Sequence, residues 1–303
     1  MNARFFDSLE ARCLRSVTVS NYELSVNGTE GADNLQVDQY NGEVYVFENG
    51  LLTGLFTAAN VWTVVVHGNG GGDQIKIWSG VAARTYLYGD AGNDVITATP
   101  RTDMIYGGLG DDRLFGMDGA DYLAGEAGND WIYAGNGDDH LVGGNDNDLL
   151  YGEAGNDTVW AGYGNDTVWA GIGNDYVISG EGNDTVQGEA GDDSIRGDGG
   201  GDTLVGGDGN DTVSGSTGND FVNGGRGHDK LYGGDGNDVF NGGTGNDAMW
   251  GDAGNDTFYA YDDHDDFING GAGWDYADVD EAPWYAPWQA EDNLTSIESK
   301  TEH

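Results

Sequence analysis

Basic side chains are scarce: 11 Lys and Arg stand against 54 Asp and Glu, for a formal net charge of -43. That balance excludes nucleic acid and anionic membranes as partners, since both would be repelled, and it favours cations. Proline is nearly missing, at 3 residues, and Cys13 is the 1 cysteine, so no internal disulfide framework can form. A lone thiol is compatible with an oxidising exterior. No apolar run approaches the roughly 18 residues of a membrane helix, so no membrane insertion is expected. Residues 1–20 also lack the apolar core of about 7–15 residues that marks a secretory signal, so export is expected to take another route. His67, His140, His228, His264 and His303 share no metal-ligand spacing, and neither His-Glu-x-x-His nor Gly-x-Ser-x-Gly occurs. No catalytic residues and no enzyme activity are expected.

What is abundant is glycine, at 56 residues, with aromatics at 11 %. An acidic, Gly-rich chain ordinarily reads as disordered. Periodicity opposes that reading. From Gly89 the chain cuts into nine-residue rows without a gap to Ile268, which makes 180/9 = 20 rows. Position six is aspartate in every row: Asp94, Asp103, Asp112, Asp121, Asp130, Asp139, Asp148, Asp157, Asp166, Asp175, Asp184, Asp193, Asp202, Asp211, Asp220, Asp229, Asp238, Asp247, Asp256 and Asp265. Position eight is apolar in every row, from Ile96 and Ile105 to Phe258 and Phe267. Position four is glycine in 17 of the 20 rows, with Arg101, Asp146 and Asp263 as exceptions.

Positions one to six read as turn, because Gly supplies positive φ and Asn and Asp tolerate the left-handed region. Positions seven to nine, such as Thr158-Val159-Trp160, read as a three-residue strand with one inward side chain. One strand cannot bury that side chain alone, so two rows form each coil and the coils stack into two parallel sheets. The expected fold is all-β: a right-handed parallel β-roll, or β-solenoid, of about ten 18-residue turns.

Rows such as Gly233-Gly234-Asp235-Gly236-Asn237-Asp238-Val239-Phe240-Asn241 resemble the repeats-in-toxin (RTX) nonapeptide, G-G-x-G-x-D-x-U-x with U apolar. The resemblance implies a calcium-binding β-roll of the kind secreted unfolded by a one-step exporter, hence an extracellular or cell-surface location. Leu9-Glu10-Ala11-Arg12-Cys13-Leu14-Arg15 resembles a Leu-Glu-Pro-Arg-x-Leu-Leu element near the start of some bacterial surface proteins, departing at Ala11 and Arg15. Asp292–Ser299 resembles the Leu-x-x-Ile-Glu ending found after RTX arrays.

Stacking brings residues i and i+18 to about 4.8 Å, so Asp94 lies over Asp112 and then Asp130, while Asp103 begins a second column. Two carboxylates about 5 Å apart repel by roughly 3 kcal/mol at an effective dielectric of 20, and the sum along a column exceeds an ordinary domain's stability. Ca2+ takes carboxylate and carbonyl oxygens in flexible geometry and relieves that repulsion, whereas Mg2+ demands small octahedral sites. Row 98–106, with Pro100 and Arg101 in its turn, is expected to lack a working site, with Arg101 standing in for a cation against Asp103.

The expected domains are a leader-like segment 1–15, a β-rich cap or wider β-helix over 16–88, the roll over 89–268, and a final row with a C-terminal cap over 269–303. Within 16–88, Ser16–Ser20, Tyr22–Val26, Glu43–Phe47 and Val61–Val66 read as strands, and Asp33 and Asp73 sit in isolated rows 40 residues apart. The ninth positions Phe115, Tyr133, Tyr151 and Trp169 form an outward aromatic ladder, with Trp160, Tyr232 and Trp250 on the other sheet. Cross-strand bracing explains the ladder, and a docking face for another protein chain or a polysaccharide is the alternative. The leading function is a calcium-dependent structural or surface-associated protein. A calcium-dependent adhesin is the second reading, and the non-catalytic part of a secreted hydrolase the third.

Overall fold

Gly-Asn-Asp turns and short β-branched words dictate what the chain builds. The computed structural model describes residues 16–260, 264–279, 293–295, 297 and 299–302. They divide into two compact units, Met1–Gly144 and Asn145–His303. Each is a parallel β-solenoid, and the described residues contain no helix beyond the 3-10 turn Ala58–Asn60. Residues 1–15, with the Leu9–Arg15 element, lie outside the described residues, as do Trp284, Trp288, Pro283 and Pro287 of the expected C-terminal cap.

In Asn145–His303 strands such as Thr158–Tyr163 and Thr167–Ile172 recur at the predicted interval. Thr167–Ile172 pairs in parallel with Thr185–Ala190, placing Thr167 on Thr185 and Val168 on Val186. Alternation does the sorting: Val159, Val168, Val177 and Val186 are fully buried, while their neighbours on the strand face outward. Small residues at position one, such as Ala161 and Ala170, are equally buried and form a second inward row. The thin core leaves little room for substitution; Phe240 and Phe258 fill it by stacking at 4.7 Å.

The strands are longer than the three residues expected. Through most of the roll each runs from position seven through position three of the next row, six residues in Thr158–Tyr163, while Thr257–Ala260 and Phe267–Asn269 near its end are shorter. The reason is backbone pairing through the presumed turn. Thr185 N–H donates to the Asp166 carbonyl at 2.9 Å, and Gly155 N–H donates to the Ile172 carbonyl at 2.9 Å. Only positions four to six, the Gly-Asn-Asp itself, fall outside the strands, and even there the position-four N–H and the position-six carbonyl bond to the neighbouring coil.

The nine-residue phase breaks inside the last of the 20 rows rather than after it. Ile268, and not Phe267, carries the core position: it is fully buried and pairs with Met249. The extra residue therefore lies between Ala260 and Asp266, where the turn lengthens to 19 residues. Ala277, the core residue of the last row, is buried as well. Two further strands, Asn293–Thr295 and Ser299–Glu302, extend the sheets in parallel on Phe267–Asn269 and Tyr276–Val279.

Met1–Gly144 starts differently. Ser16–Ser20 and Glu23–Asn27 form an antiparallel hairpin, and Asn34–Tyr40, Glu43–Glu48 and Leu51–Thr57 form an antiparallel meander. Two-residue loops with two positive φ values cause this: Asn21-Tyr22 at 51° and 66°, Asn41-Gly42 at 51° and 81°, Asn49-Gly50 at 48° and 78°. The meander lengthens the first coil to 40 residues between Asp33 and Asp73, and the next takes 21, from Asp73 to Asp94. Regular 18-residue coils follow, with Asp94 on Asp112.

Candidate metal centre

Position six lies where the ladder ends and the turn closes, so its side chain points back under the loop. From Asp94 to Asp256 every aspartate of the columns is at most 3 % exposed. Asp265 is the exception: it is exposed, and Asp266 takes the buried position because of the extra residue before it. Asp33, Asp73 and Asp275 join the same buried columns. A phase break placed before Tyr261 would have found Asp266 and Asp275 in the sequence together.

Each carboxylate divides its oxygens. Oδ1 accepts the backbone N–H of the aspartate one turn earlier, at 2.7–2.9 Å. Thus Asp94 N–H donates to Asp112, and Asp166 N–H to Asp184. Oδ2 of Asp73, Asp94, Asp112, Asp121, Asp166, Asp175, Asp193, Asp202, Asp211, Asp220, Asp229, Asp238 and Asp256 is buried without a hydrogen-bond partner. One buried orphan acceptor is costly, and native cores carry only a few, so a whole file of them calls for a counter-charge.

The space beside these oxygens is kept free of side chains. A Cβ on Gly107 would meet Asp112 Oδ2 and lie 2.8 Å from the Gly125 carbonyl oxygen. A Cβ on Gly206 would meet Asp211 Oδ2 and lie 2.6 Å from the Gly224 carbonyl oxygen. A carboxylate oxygen and a carbonyl oxygen of the next turn therefore face the same gap. Among the described residues no three His, Cys, Asp or Glu side chains converge on a metal site, so a cation here draws on backbone carbonyls as well as carboxylates, which is not the donor set of a transition metal. Paired carboxylates with carbonyls are the donor set of a hard, flexible cation, and Ca2+ fits it.

Burial pushes the carboxyls up, against the pull of the backbone hydrogen bond, and nearby carboxylates add to the rise, the stacked neighbour among them at Asp112, Asp121 and Asp166. Asp112 and Asp121 are raised to about 8. Asp166, Asp193, Asp202, Asp229 and Asp238 are raised to about 7. Asp94, Asp211 and Asp256 are raised to about 6.

Two turns depart. Asp103 Oδ2 accepts the Thr99 N–H at 2.8 Å and the Thr99 hydroxyl at 2.8 Å, while its Oδ1 accepts the Thr85 hydroxyl. Asp33 Oδ2 likewise accepts the Thr29 N–H at 2.6 Å and the Thr29 hydroxyl at 2.9 Å. The partner expected for Asp103 was Arg101. Arg101 is exposed, and its charge is the smallest of the influences that lower the Asp103 pKa, behind both threonines; burial, which is larger, leaves that pKa raised.

Position five explains the Asn of the refrain, for which the sequence offered only turn propensity. Asn183 N–H donates to Asn165 Oδ1 at 2.7 Å, and Gly201 N–H donates to Asn183 Oδ1 at 2.7 Å. This line runs opposite to the aspartate line, so each loop is tied in both directions. His228 continues it, its Nδ1 accepting the Asn246 N–H at 2.9 Å. Asn183→Ala removes one acceptor at an exposed place and is expected to cost about 1 kcal/mol. Thermal unfolding at saturating calcium checks this, with Asn183→Asp, which keeps the acceptor, as the reference.

A family profile described as the RTX calcium-binding nonapeptide repeat (4 copies) matches in successive stretches, from 88–123 to 241–275, that leave no gap between them. No curated protein matches the chain.

Proposed function

The chain belongs to the RTX calcium-binding nonapeptide-repeat family and is a calcium-binding repeat protein, and we propose that it is an extracellular structural protein folded by calcium. The buried, unpartnered Oδ2 recurring down the columns carries this reading. Ca2+ supplies the positive charge these oxygens lack. Asp112, Asp121, Asp166 and their equivalents would hold it, with carbonyls such as those of Gly125 and Gly224. Oδ1 stays tied to the backbone, so the loop is positioned for the metal by the protein itself.

Without the cation the columns repel and the Gly-rich chain has little core to set against that repulsion. Metal free energy is then folding free energy. Extracellular calcium modules bind at roughly 0.1–1 mM, so the chain would stay unfolded in a low-calcium cytoplasm and fold after export. The roll over 89–268, capped by 16–88, would serve as a structural surface element. No catalytic role is assigned to it.

The aromatic ladders support bracing over a glycan platform. Phe115 and Tyr133 stack at 5.3 Å, Tyr151 and Trp169 at 4.8 Å, Tyr232 and Trp250 at 4.7 Å, with planes within 9° of parallel. Rings turned on one another have their faces covered, and a sugar needs a free face.

Circular dichroism of the whole chain at pH 7.5 tests the proposal. The β-sheet signal is expected to collapse in chelator and return in a few millimolar Ca2+, with Mg2+ unable to replace it. A chain equally structured in chelator would sink the idea.

A further inference from the structure

Position two of the loop follows a rule with two exceptions. Every described position-two residue from Asn69 to Gly271 has positive φ, apart from Thr99; Thr29, in the first row, is the other exception. Glycine is not what decides it, because Met117 at 89°, Glu126 at 79° and Asp198 at 71° adopt the same turn. The two exceptional rows also lose the left-handed residue at position four. Arg101 could explain that in one row, but Gly31 does so in the other despite being glycine. The row is therefore bent by its threonine, and the residue at position four follows.

Both rows stand at the same place in the architecture. Asp33 is the first aspartate of one column, and its own N–H donates onward to Asp73 at 2.7 Å. Asp103 is the first of the other: the paired position one turn earlier is Thr85. A first carboxylate has no preceding aspartate loop with which to share a cation. In each case the Thr N–H and hydroxyl occupy Oδ2, the oxygen that stays unpartnered in Asp73, Asp94, Asp112 and Asp121. Thr99 and Asp103 are fully shielded, at 0 % and 1 % exposure.

We propose that Thr29 and Thr99 are end-stops that close the first carboxylate of each column to calcium, so that metal binding begins at Asp73 in one column and at Asp121 in the other. The proposal rests on the calcium reading above and sets its limits. Asp103, inside the matched repeats, is thereby a structural hydrogen-bond acceptor and no metal ligand.

Calcium bound per chain, measured on the intact protein after desalting into a fixed free Ca2+ concentration, tests it. Asp103→Asn and Asp33→Asn are expected to keep the wild-type number of ions. Asp121→Asn and Asp73→Asn are expected to lose at least one each. Grafting an ordinary loop by Thr99→Gly, Pro100→Asp and Arg101→Gly is expected to add one ion, which keeps a readout should Asp103→Asn fail to fold. An ion lost from Asp103→Asn, or none gained by the graft, overturns the end-stop alone. A wild-type chain that binds no calcium overturns it together with the reading it rests on.

Discussion

In calcium-free buffer the chain is expected to be folded at pH 5 and unfolded by pH 8, the reverse of ordinary acid denaturation. The sign follows from the columns. Asp94, Asp166 and Asp112 are raised in the folded state to about 6, about 7 and about 8, chiefly because burial penalises the charged form, and Asp175, Asp184 and Asp220 are raised for the same reason. In the unfolded chain the same groups titrate near 3.9. Between those values the folded state holds more protons, so stability falls as pH rises and the loss is complete above the folded pKa. A proton on Oδ2 does for the orphan oxygen part of what calcium does: it removes the charge and adds a donor. Millimolar calcium should invert the dependence, because the metal needs the carboxylates deprotonated and acid competes with it. Far-UV circular dichroism from pH 5 to 8 at low protein concentration, with and without calcium, measures both limbs. A β-sheet signal in chelator that rises with pH would defeat the account.

The column and the eighth-position core were legible because nine-residue phase is a strong signal and a parallel stack preserves it. What the sequence hid is what phase does not report. Asp266 was hidden because Asp265 and Asp266 are both acidic and the shift of one residue could be placed on either side of Phe267 and Ile268. The antiparallel start was announced by Asn41-Gly42 and Asn49-Gly50, dipeptides that favour tight hairpin loops, yet it was overshadowed by the rows around Asp33 and Asp73. Strand length was misread because Gly at positions one and two suggests a turn. In the stack those residues stay in the ladder, their backbone bonded to the coils on either side. Asn at position five looked like turn filler, whereas its side chain bonds a residue 18 positions away, a partner no local pattern names. Thr99 hid for the opposite reason: Pro100 and Arg101 beside it looked like the anomaly.

Gly236→Ala is expected to be among the most damaging single substitutions in the repeats, while Gly234→Asn two residues earlier is expected to be tolerated. Sequence counts alone set position four apart only weakly, as the more regular glycine. Backbone geometry separates the two sharply. Gly236 has φ of 150°, a region closed to L-residues, and a Cβ there would run into the Gly218 carbonyl of the neighbouring coil. Strain of this kind costs about 1–3 kcal/mol, and here both neighbouring coils hold the loop so that little of it can relax. Gly234 has φ of 107°, where a Cβ would also run into the Ser216 carbonyl, but Ser216 before it and Asp252 after it in the same stack carry side chains at 81° and 67°. A modest rotation brings position 234 into that left-handed well, where Asn is accepted at a cost of about 1 kcal/mol or less. Since loop and metal site are one object, the loss should appear as a higher calcium concentration for half-folding, several-fold or more for Gly236→Ala and near wild type for Gly234→Asn. Calcium titrations followed by circular dichroism decide it. Equal midpoints for the two variants would mean that the fourth-position glycine serves something other than the turn, and the account of the Gly-Asn-Asp loop as a backbone-locked cation cradle would fall with it.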